Sequence, residues 1–332
     1  MKNTITLISK PGCHLCAELL PVINELVDRL DLRLEKFNIL EHPDLEAKYS
    51  EFIPVVLVDG IEVGHLLVSR EQIESAIVPR TGATSAAFFD LDNTVIRGSS
   101  LWHLGRGLVK QKFVSGKDLR KFFWKQLKFV VVGKETVTDM DVIRKHSLQV
   151  IEGKDAKELE GKGLVIAKEM LLPKVFHQSV GLAKDHLSRG EDVWLVTASP
   201  RRLAQLLAKE LGFTGAIGSE AEIIAGKYTG ELNGEIMHGP VKAKTVKLLA
   251  EQRGYDLARC TAYSDSFNDV PLLEVVGNAV VVNGDRKLRN YAKVKGWKSY
   301  DFRRMRLARK HGINALSLGI APLLNKIFRK NR

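Results

Sequence analysis

The chain has 332 residues, is 45% hydrophobic and carries a formal charge of +12 at pH 7, which is enough apolar material for two domains and excludes a disordered polyelectrolyte. Three cysteines are too few for a secreted disulfide scaffold, no apolar run reaches membrane-spanning length, and the start lacks a charged, apolar leader, so the expected setting is reducing and cytoplasmic. Residues 1–80 hold 8 Lys/Arg against 13 Asp/Glu, while residues 302–332 hold 9 against none, a contrast that marks modules with different partners.

In chain order, the first module (1–80) opens with a strand over Thr4 to Ser9, turns at Pro11-Gly12 and enters a helix at Cys13-His14-Leu15-Cys16, with Leu19, Leu20, Ile23 and Val27 as its apolar face. A strand around Leu34 to Ile39 and a polar helix from Asp44 follow. Ile53-Pro54 then leads into the strand Val55 to Val58, an Asp59-Gly60 hairpin turn and a strand over Ile61 to Val68. Ser69 and Gln72 form a capping box that opens the last helix, and the module closes at Pro79.

Residues 81–86 are small and polar, a linker. The strand Ala86 to Leu91 ends in acid, and about 99–188 reads as an inserted set of helices. The strand Val193 to Val196 is followed by Thr197-Ala198-Ser199-Pro200, where Ser199 suits a helix N-cap and Pro200 the first helical turn. Further strands at Cys260 to Tyr263 and Ala279 to Val282 complete an alternation of strands and helices over 87–300. That pattern implies a parallel sheet with its ligand site at the carboxyl ends of the strands.

Two of those strand ends carry clustered acids, Asp90-Leu91-Asp92-Asn93-Thr94 and Ser264-Asp265-Ser266-Phe267-Asn268-Asp269. If they meet, four carboxylates share one cavity, and like charges about 4 Å apart repel by roughly 4 kcal/mol at an effective dielectric of 20. Such a cluster calls for raised pKa values or a bound cation, and hard oxygen ligands without neighbouring Cys or His select Mg²⁺.

These segments resemble the ordered motifs of the haloacid dehalogenase superfamily, in its phosphoserine phosphatase-like branch. Asp90-Leu91-Asp92-Asn93-Thr94 is similar to the first motif, Thr197 to the second, Lys242 to the third, and Asp265 with Asn268 and Asp269 to the fourth. The resemblance implies a Rossmann-like core with a helical cap between the first and second motifs. It implies a Mg²⁺-dependent phosphomonoesterase that acts on a small phosphorylated metabolite, phosphoserine or a relative, through an aspartyl phosphate. Asp90 would be the nucleophile and Asp92 the general acid and base. Thr197, Lys242 and Asn268 would hold the phosphoryl group, and Asp90, Asp92, Asp265 and Asp269 would form the metal site. The chain departs at Ser99, where phosphoserine phosphatases carry a glutamate for the substrate ammonium.

The first module resembles a glutaredoxin-like, thioredoxin-fold domain. Cys13 at the helix start would be the attacking thiol, Cys16 the resolving one, and Pro54 a cis proline facing them. His14-Leu15 replaces the usual Pro-Tyr pair, and Gly64-His65 stands where two glycines would bind glutathione, so a thiol partner and a redox-inert docking domain are both open. The basic residues 301–332 flank a short apolar run, Ile313 to Leu324, which suits an anionic membrane surface or simple packing on the core; nucleic acid is not the expected partner. Residues 97–134 interleave ten Lys/Arg with aromatics, as an amphipathic helix would. Two rival functions stay open: a thiol-disulfide oxidoreductase with a regulatory phosphatase-like domain, and a membrane-surface phosphatase acting on a lipid phosphate.

Overall fold

The computed structural model describes residues 3–77, 81–116, 148 and 150–303. Pro79, residues 117–134 of the basic aromatic stretch at 97–134 and the tail beyond residue 303 lie outside the described residues. Among the described residues no helix is long and apolar enough to cross a membrane.

The N-terminal unit is a four-stranded sheet of β1 (Thr4–Ser9), β2 (Arg33–Asn38), β3 (Val55–Val58) and β4 (Ile61–His65), ordered β2-β1-β3-β4. β2 runs parallel to β1, as a strand reached through a crossover helix must, whereas β3 and β4 are antiparallel neighbours joined by the tight Asp59-Gly60 turn. Helix α1 (His14–Leu30) buries Cys16, Leu19, Ile23 and Leu26. Leu26, three residues after Ile23, joins that stripe, with Leu20 and Val27 half-buried against the same core. β4 stops at His65 rather than Val68: Leu66 is left-handed at φ 58° and its N–H turns back to the Pro54 carbonyl. Short helices α2 (Pro43–Tyr49) and α3 (Arg70–Ala76) complete the unit, the latter opened by the Ser69–Gln72 capping box. Ile53-Pro54 is a cis peptide.

The larger unit is a six-stranded, fully parallel sheet. Its strands are β5 (Ala86–Phe89), β6 (Asp192–Pro200), β7 (Gly215–Ser219), β10 (Thr261–Ser264), β11 (Asn278–Val282) and β12 (Lys298–Tyr300), in the order β12-β11-β10-β5-β6-β7. A separate hairpin, β8 (Ala221–Ile224) with β9 (Lys227–Leu232), branches off after β7. β5 is buried on both faces: Ala87 and Phe89 enter one core and Ala86 and Phe88 the other, the period of two that a pleated strand imposes. Between β5 and β6 lie helices α4 (Ser100–Lys110), α5 (Ala156–Ile166) and α6 (His177–Ser188). Helix α7 (Arg201–Leu211) follows β6 and α8 (Pro240–Arg253) follows the hairpin, with α9 (Val270–Val275) and α10 (Arg286–Lys295) beyond.

The start of α7 differs from the sequence expectation. β6 runs on through Pro200, which is itself the residue before the helix, and Ser199 does not cap it. The Ser199 N–H is turned inward to the Thr197 hydroxyl and the Ser199 hydroxyl meets that of Ser100, so this loop is shaped by the interior.

The two units meet at the β3–β4 turn and α8. Asp59 accepts from Asn3 Nδ2 at 2.7 Å and from the Thr4 N–H at 2.9 Å, and its Oδ2 lies 3.4 Å from Arg253 Nη2 at the end of α8. Both members of this ion pair are buried, and the guanidinium lies 5.0 Å from the Trp194 ring. Ile61 packs on the core of the larger unit, and His65 bridges Glu62 and Glu222 of β8. Removing one partner of a buried pair leaves the other charge unpaired at a cost of about 3–5 kcal/mol. Asp59→Ala is therefore expected to lower the unfolding free energy of the full chain by about 3 kcal/mol in urea melts; a loss below about 1 kcal/mol would show the contact to be incidental.

Candidate active site

The acids flagged in the sequence sit at the carboxyl ends of the two central strands. β5 and β10 are paired side by side, with Phe89 stacked on Tyr263 at 4.1 Å and the Asp90 N–H bonded to the Tyr263 carbonyl at 2.9 Å. Asp90 follows β5 directly and is buried, at 7% exposure. From the far side comes Lys242, in the first turn of α8 and 2% exposed; its ammonium donates to Asp90 Oδ1 at 2.5 Å and to Asp269 Oδ2 at 2.8 Å. Its neighbour Lys244 is a solvent-exposed residue near Glu235, so the helix register separates the two lysines cleanly. α8 can start this close because Gly239 precedes it at φ +50°: a Cβ there would stand 3.3 Å from the Asn268 carbonyl.

Asp92 is oriented by α4, whose first N–H, that of Ser100, donates to Asp92 Oδ1 at 2.8 Å; a helix N-terminus favours a carboxylate there. Ser99 caps the same helix by accepting from the Trp102 N–H. Asp269 takes a second bond from the Ser264 hydroxyl at 2.8 Å, and its other oxygen, Oδ1, is buried without a hydrogen-bond partner. Thr197 is buried at the end of β6, beside β5. Asn268 is exposed on the short 3₁₀ turn Phe267–Asp269. The structure thus draws Asp90, Lys242 and Asp269 into direct contact, with Asp92 and Asp265 on the neighbouring loops and Thr197 on the adjoining strand β6.

Several positioning residues escaped the sequence reading. Ser264 and Ser100 fix Asp269 and Asp92, and the Asn93 side chain bonds to Asp265. Asn283, fully buried after β11, donates to the Asn93 carbonyl at 2.6 Å and holds that left-handed residue in place. Ser264 and Asn93 lie inside the acidic motifs and were legible there; Ser100 and Asn283 carry no local signal.

Burial pushes the Asp90 carboxyl up to about 8, against the pull of Lys242 and with Asp269, Asp265 and Asp92 adding repulsion. Asp265 is pushed up to about 7, first by burial and then by Asp269. For Lys242, burial opposes the charge, but the Asp269 and Asp90 carboxylates outweigh it and raise its pKa. One ammonium facing four carboxyls leaves an excess of negative charge. Among the described residues no three Asp, Glu, His or Cys side chains are grouped to hold an ion as they stand. Asp269 is drawn off by Lys242 and Ser264, and Asp92 Oδ1 by the α4 N-terminus. The oxygen-only donors, the charge excess and the orphaned Asp269 Oδ1 nonetheless fit a hard divalent cation held by fewer carboxylates.

Beside Asp92 and Ser99 opens a cavity of about 350 Å³ between the end of β6, α4, α5, α7 and the β8–β9 hairpin.

A family model described as haloacid dehalogenase-like hydrolase matches residues 87–274. The chain belongs to that family. A glutaredoxin-like domain model matches residues 4–78. A phosphoserine phosphatase of Mycobacterium tuberculosis is 45% identical over 244 residues, covering 73% of this chain and 79% of the relative. An "inhibition of morphological differentiation protein" of Streptomyces azureus is 31% identical, covering 70% and 82%. Among solved structures, a Bordetella pertussis protein of unknown function aligns with a TM-score of 0.60 at 25% identity, over 66% of this chain and 99% of that one. In this haloacid dehalogenase-like hydrolase, the matched region begins within β5 and takes in the buried Asp90 that follows it.

Because the folded-state pKa values of Asp90 and Asp265 lie above their ordinary values, the folded, metal-free chain holds protons that the unfolded chain releases. Their contribution to stability therefore falls as pH rises from about 4 to 8. In EDTA, Tm is expected to drop over that interval less steeply for Asp90→Asn than for wild type, and added Mg²⁺ should restore more at pH 8 than at pH 6. Equal slopes for the two proteins would refute the assignment of Asp90 as a buried acid.

Proposed function

We propose that this chain is a Mg²⁺-dependent phosphomonoesterase that works through an aspartyl phosphate on Asp90. The observation that carries the reading is the buried Asp90 at the end of the central strand, fixed by Lys242 and flanked by Asp92 on a helix N-terminus. The naming of relatives as phosphoserine phosphatase and histidinol-phosphatase supports phosphoester hydrolysis as the reaction.

In this reading the Asp90 carboxylate attacks phosphorus while Asp92, in its acid form, protonates the leaving alcohol oxygen. Asp92 then takes a proton from the water that attacks the aspartyl phosphate, which returns Asp90 as a free carboxylate and releases inorganic phosphate. Lys242 lowers the cost of ionising Asp90 and holds it in register, and with Thr197 it would neutralise and bind phosphoryl oxygens; Asn268 would reach them from the exposed turn. The Asp90 and Asp265 carboxylates and the Asp92 carbonyl would hold Mg²⁺, with Asp269 behind them. When bound, Mg²⁺ supplies charge neutralisation that lets an anionic nucleophile meet an anionic phosphate.

With Mg²⁺ and p-nitrophenyl phosphate, the full chain is expected to release phosphate. Asp90→Asn should lose roughly 10³-fold or more in kcat, and Asp92→Asn roughly 10²–10⁴-fold. Comparable rates for wild type and Asp90→Asn would remove the nucleophile.

A second activity for the N-terminal unit is favoured by one observation: Cys13 and Cys16 are joined as a disulfide, with the Cys13 sulfur accepting the Cys16 N–H at 3.1 Å and Ile53 in the same apolar cluster. Reduction of a small-molecule disulfide by the dithiol form, lost in Cys13→Ser, is the expected result if this unit exchanges thiols. Equal reduction by Cys13→Ser would leave the unit a docking domain.

A further inference from the structure

The cavity beside Asp92 is where the alcohol half of a phosphate ester must sit, because Asp92 is the group that would protonate the leaving oxygen. Its walls are made by Leu104 and Leu108 of α4, Leu159 of α5, Leu203 and Leu206 of α7, and Ile236. Besides Asp92, four charged residues reach it, and they form two ion pairs. Arg202 Nη1 donates to Glu160 at 2.6 Å, and Arg201 Nη1 stands 3.0 Å from Glu220 Oε2 in a buried ion pair. That second contact is electrostatic rather than a well-aligned hydrogen bond, since Nη1 has no acceptor in line. Ser99, where a glutamate would meet an ammonium, is committed to capping α4.

A substrate with an amino-acid head needs a charged partner for both its ammonium and its carboxylate; burying either beside leucines without one is costly. A hydrocarbon loses nothing there, and about 350 Å³ lies in the range of small-ligand pockets. We infer that the preferred substrate is the phosphate monoester of an apolar alcohol, an alkyl or aryl group of medium length that fills this cavity while its phosphate meets Asp90. This rests on the phosphatase reading above and names its substrate class. It sets the chain apart from the phosphoserine named for its Mycobacterium relative.

The test is a chain-length series on the full-length protein with Mg²⁺: methyl, n-butyl, n-hexyl and n-octyl phosphate, with phosphoserine alongside. Each buried methylene is worth about 0.8 kcal/mol, so kcat/KM should rise about fourfold per methylene until the cavity is full. Octyl phosphate should surpass phosphoserine by roughly a hundredfold or more. Gly163 on α5 lines the cavity, and a Cβ there would sit 3.8 Å from Leu206 Cδ1, so Gly163→Leu should occupy the space and flatten the rise. Leu206→Asn, which nearly keeps the shape of the side chain and makes its end polar, should flatten it in a second way. A flat series, or a preference for phosphoserine, with methyl phosphate still hydrolysed would overturn the apolar-substrate inference and leave the phosphatase standing. If no monoester is hydrolysed, n-octanol decides the cavity separately. A Tm increase in wild type that is absent in Gly163→Leu upholds an apolar binding site while the phosphatase reading falls; no increase overturns both.

Discussion

A buried ammonium between two buried carboxylates, Lys242 with Asp90 and Asp269, is the constraint on which the rest of the larger unit depends. None of the three would tolerate burial alone, since each would then meet the full penalty of losing water. Together they lock the start of α8 onto the ends of β5 and of the loop after β10, elements that are 152 residues apart in the case of Lys242 and Asp90. The lock is incomplete by design of charge: it leaves more carboxyls than cations, which is the condition under which a divalent ion gains a place. The same helix ends at Arg253, paired with Asp59 of the N-terminal unit, so one rigid rod is anchored in the reactive cluster at its start and in the neighbouring domain at its finish.

How much of this was readable beforehand follows from the range of each interaction. Asp90, Asp92 and Asp265 announce themselves because a hydrophobic strand that ends in acid is a local pattern, and the parallel arrangement then brings strand ends together. The capping box at Ser69 and Gln72 is equally local and was found where expected. Ser199 misled because Ser-Pro before a helix is a good cap in isolation, whereas here the interior, through Thr197 and Ser100, claims both its N–H and its hydroxyl. Val68 suits a strand by side-chain type, but the left-handed turn at Leu66, whose N–H bonds to the Pro54 carbonyl, ends β4 before it. Asn283 and Arg253 had no legible signal at all, since their partners lie about 190 residues away.

The larger unit divides its work by polarity. At the ends of β5 and β10, Asp90, Asp265 and the lysine that faces them are all strongly shifted. A few residues further along the same loops the walls turn to leucine, and the arginines present are spent on glutamates. The β8–β9 hairpin belongs to both that apolar wall and the contact with the N-terminal unit, since Ala221 lines the cavity while Glu222 meets His65. Adjacent residues on one strand face opposite ways, which is how a single short hairpin can serve two surfaces.

The position of β5 in the sheet has a temporal consequence for a polypeptide made from its amino end. β5 is flanked by β6 on one side and by β10 on the other, and β10 leaves the ribosome only after nearly all the intervening helices. Until then the Asp90 loop has no Tyr263 carbonyl to bond to, Lys242 has no Asp269 to share, and the apolar edge of β5 is uncovered. A nascent or prematurely truncated chain is thus chemically silent and adhesive at once. Chaperone demand should accordingly be concentrated in the interval between translation of β6 and β10.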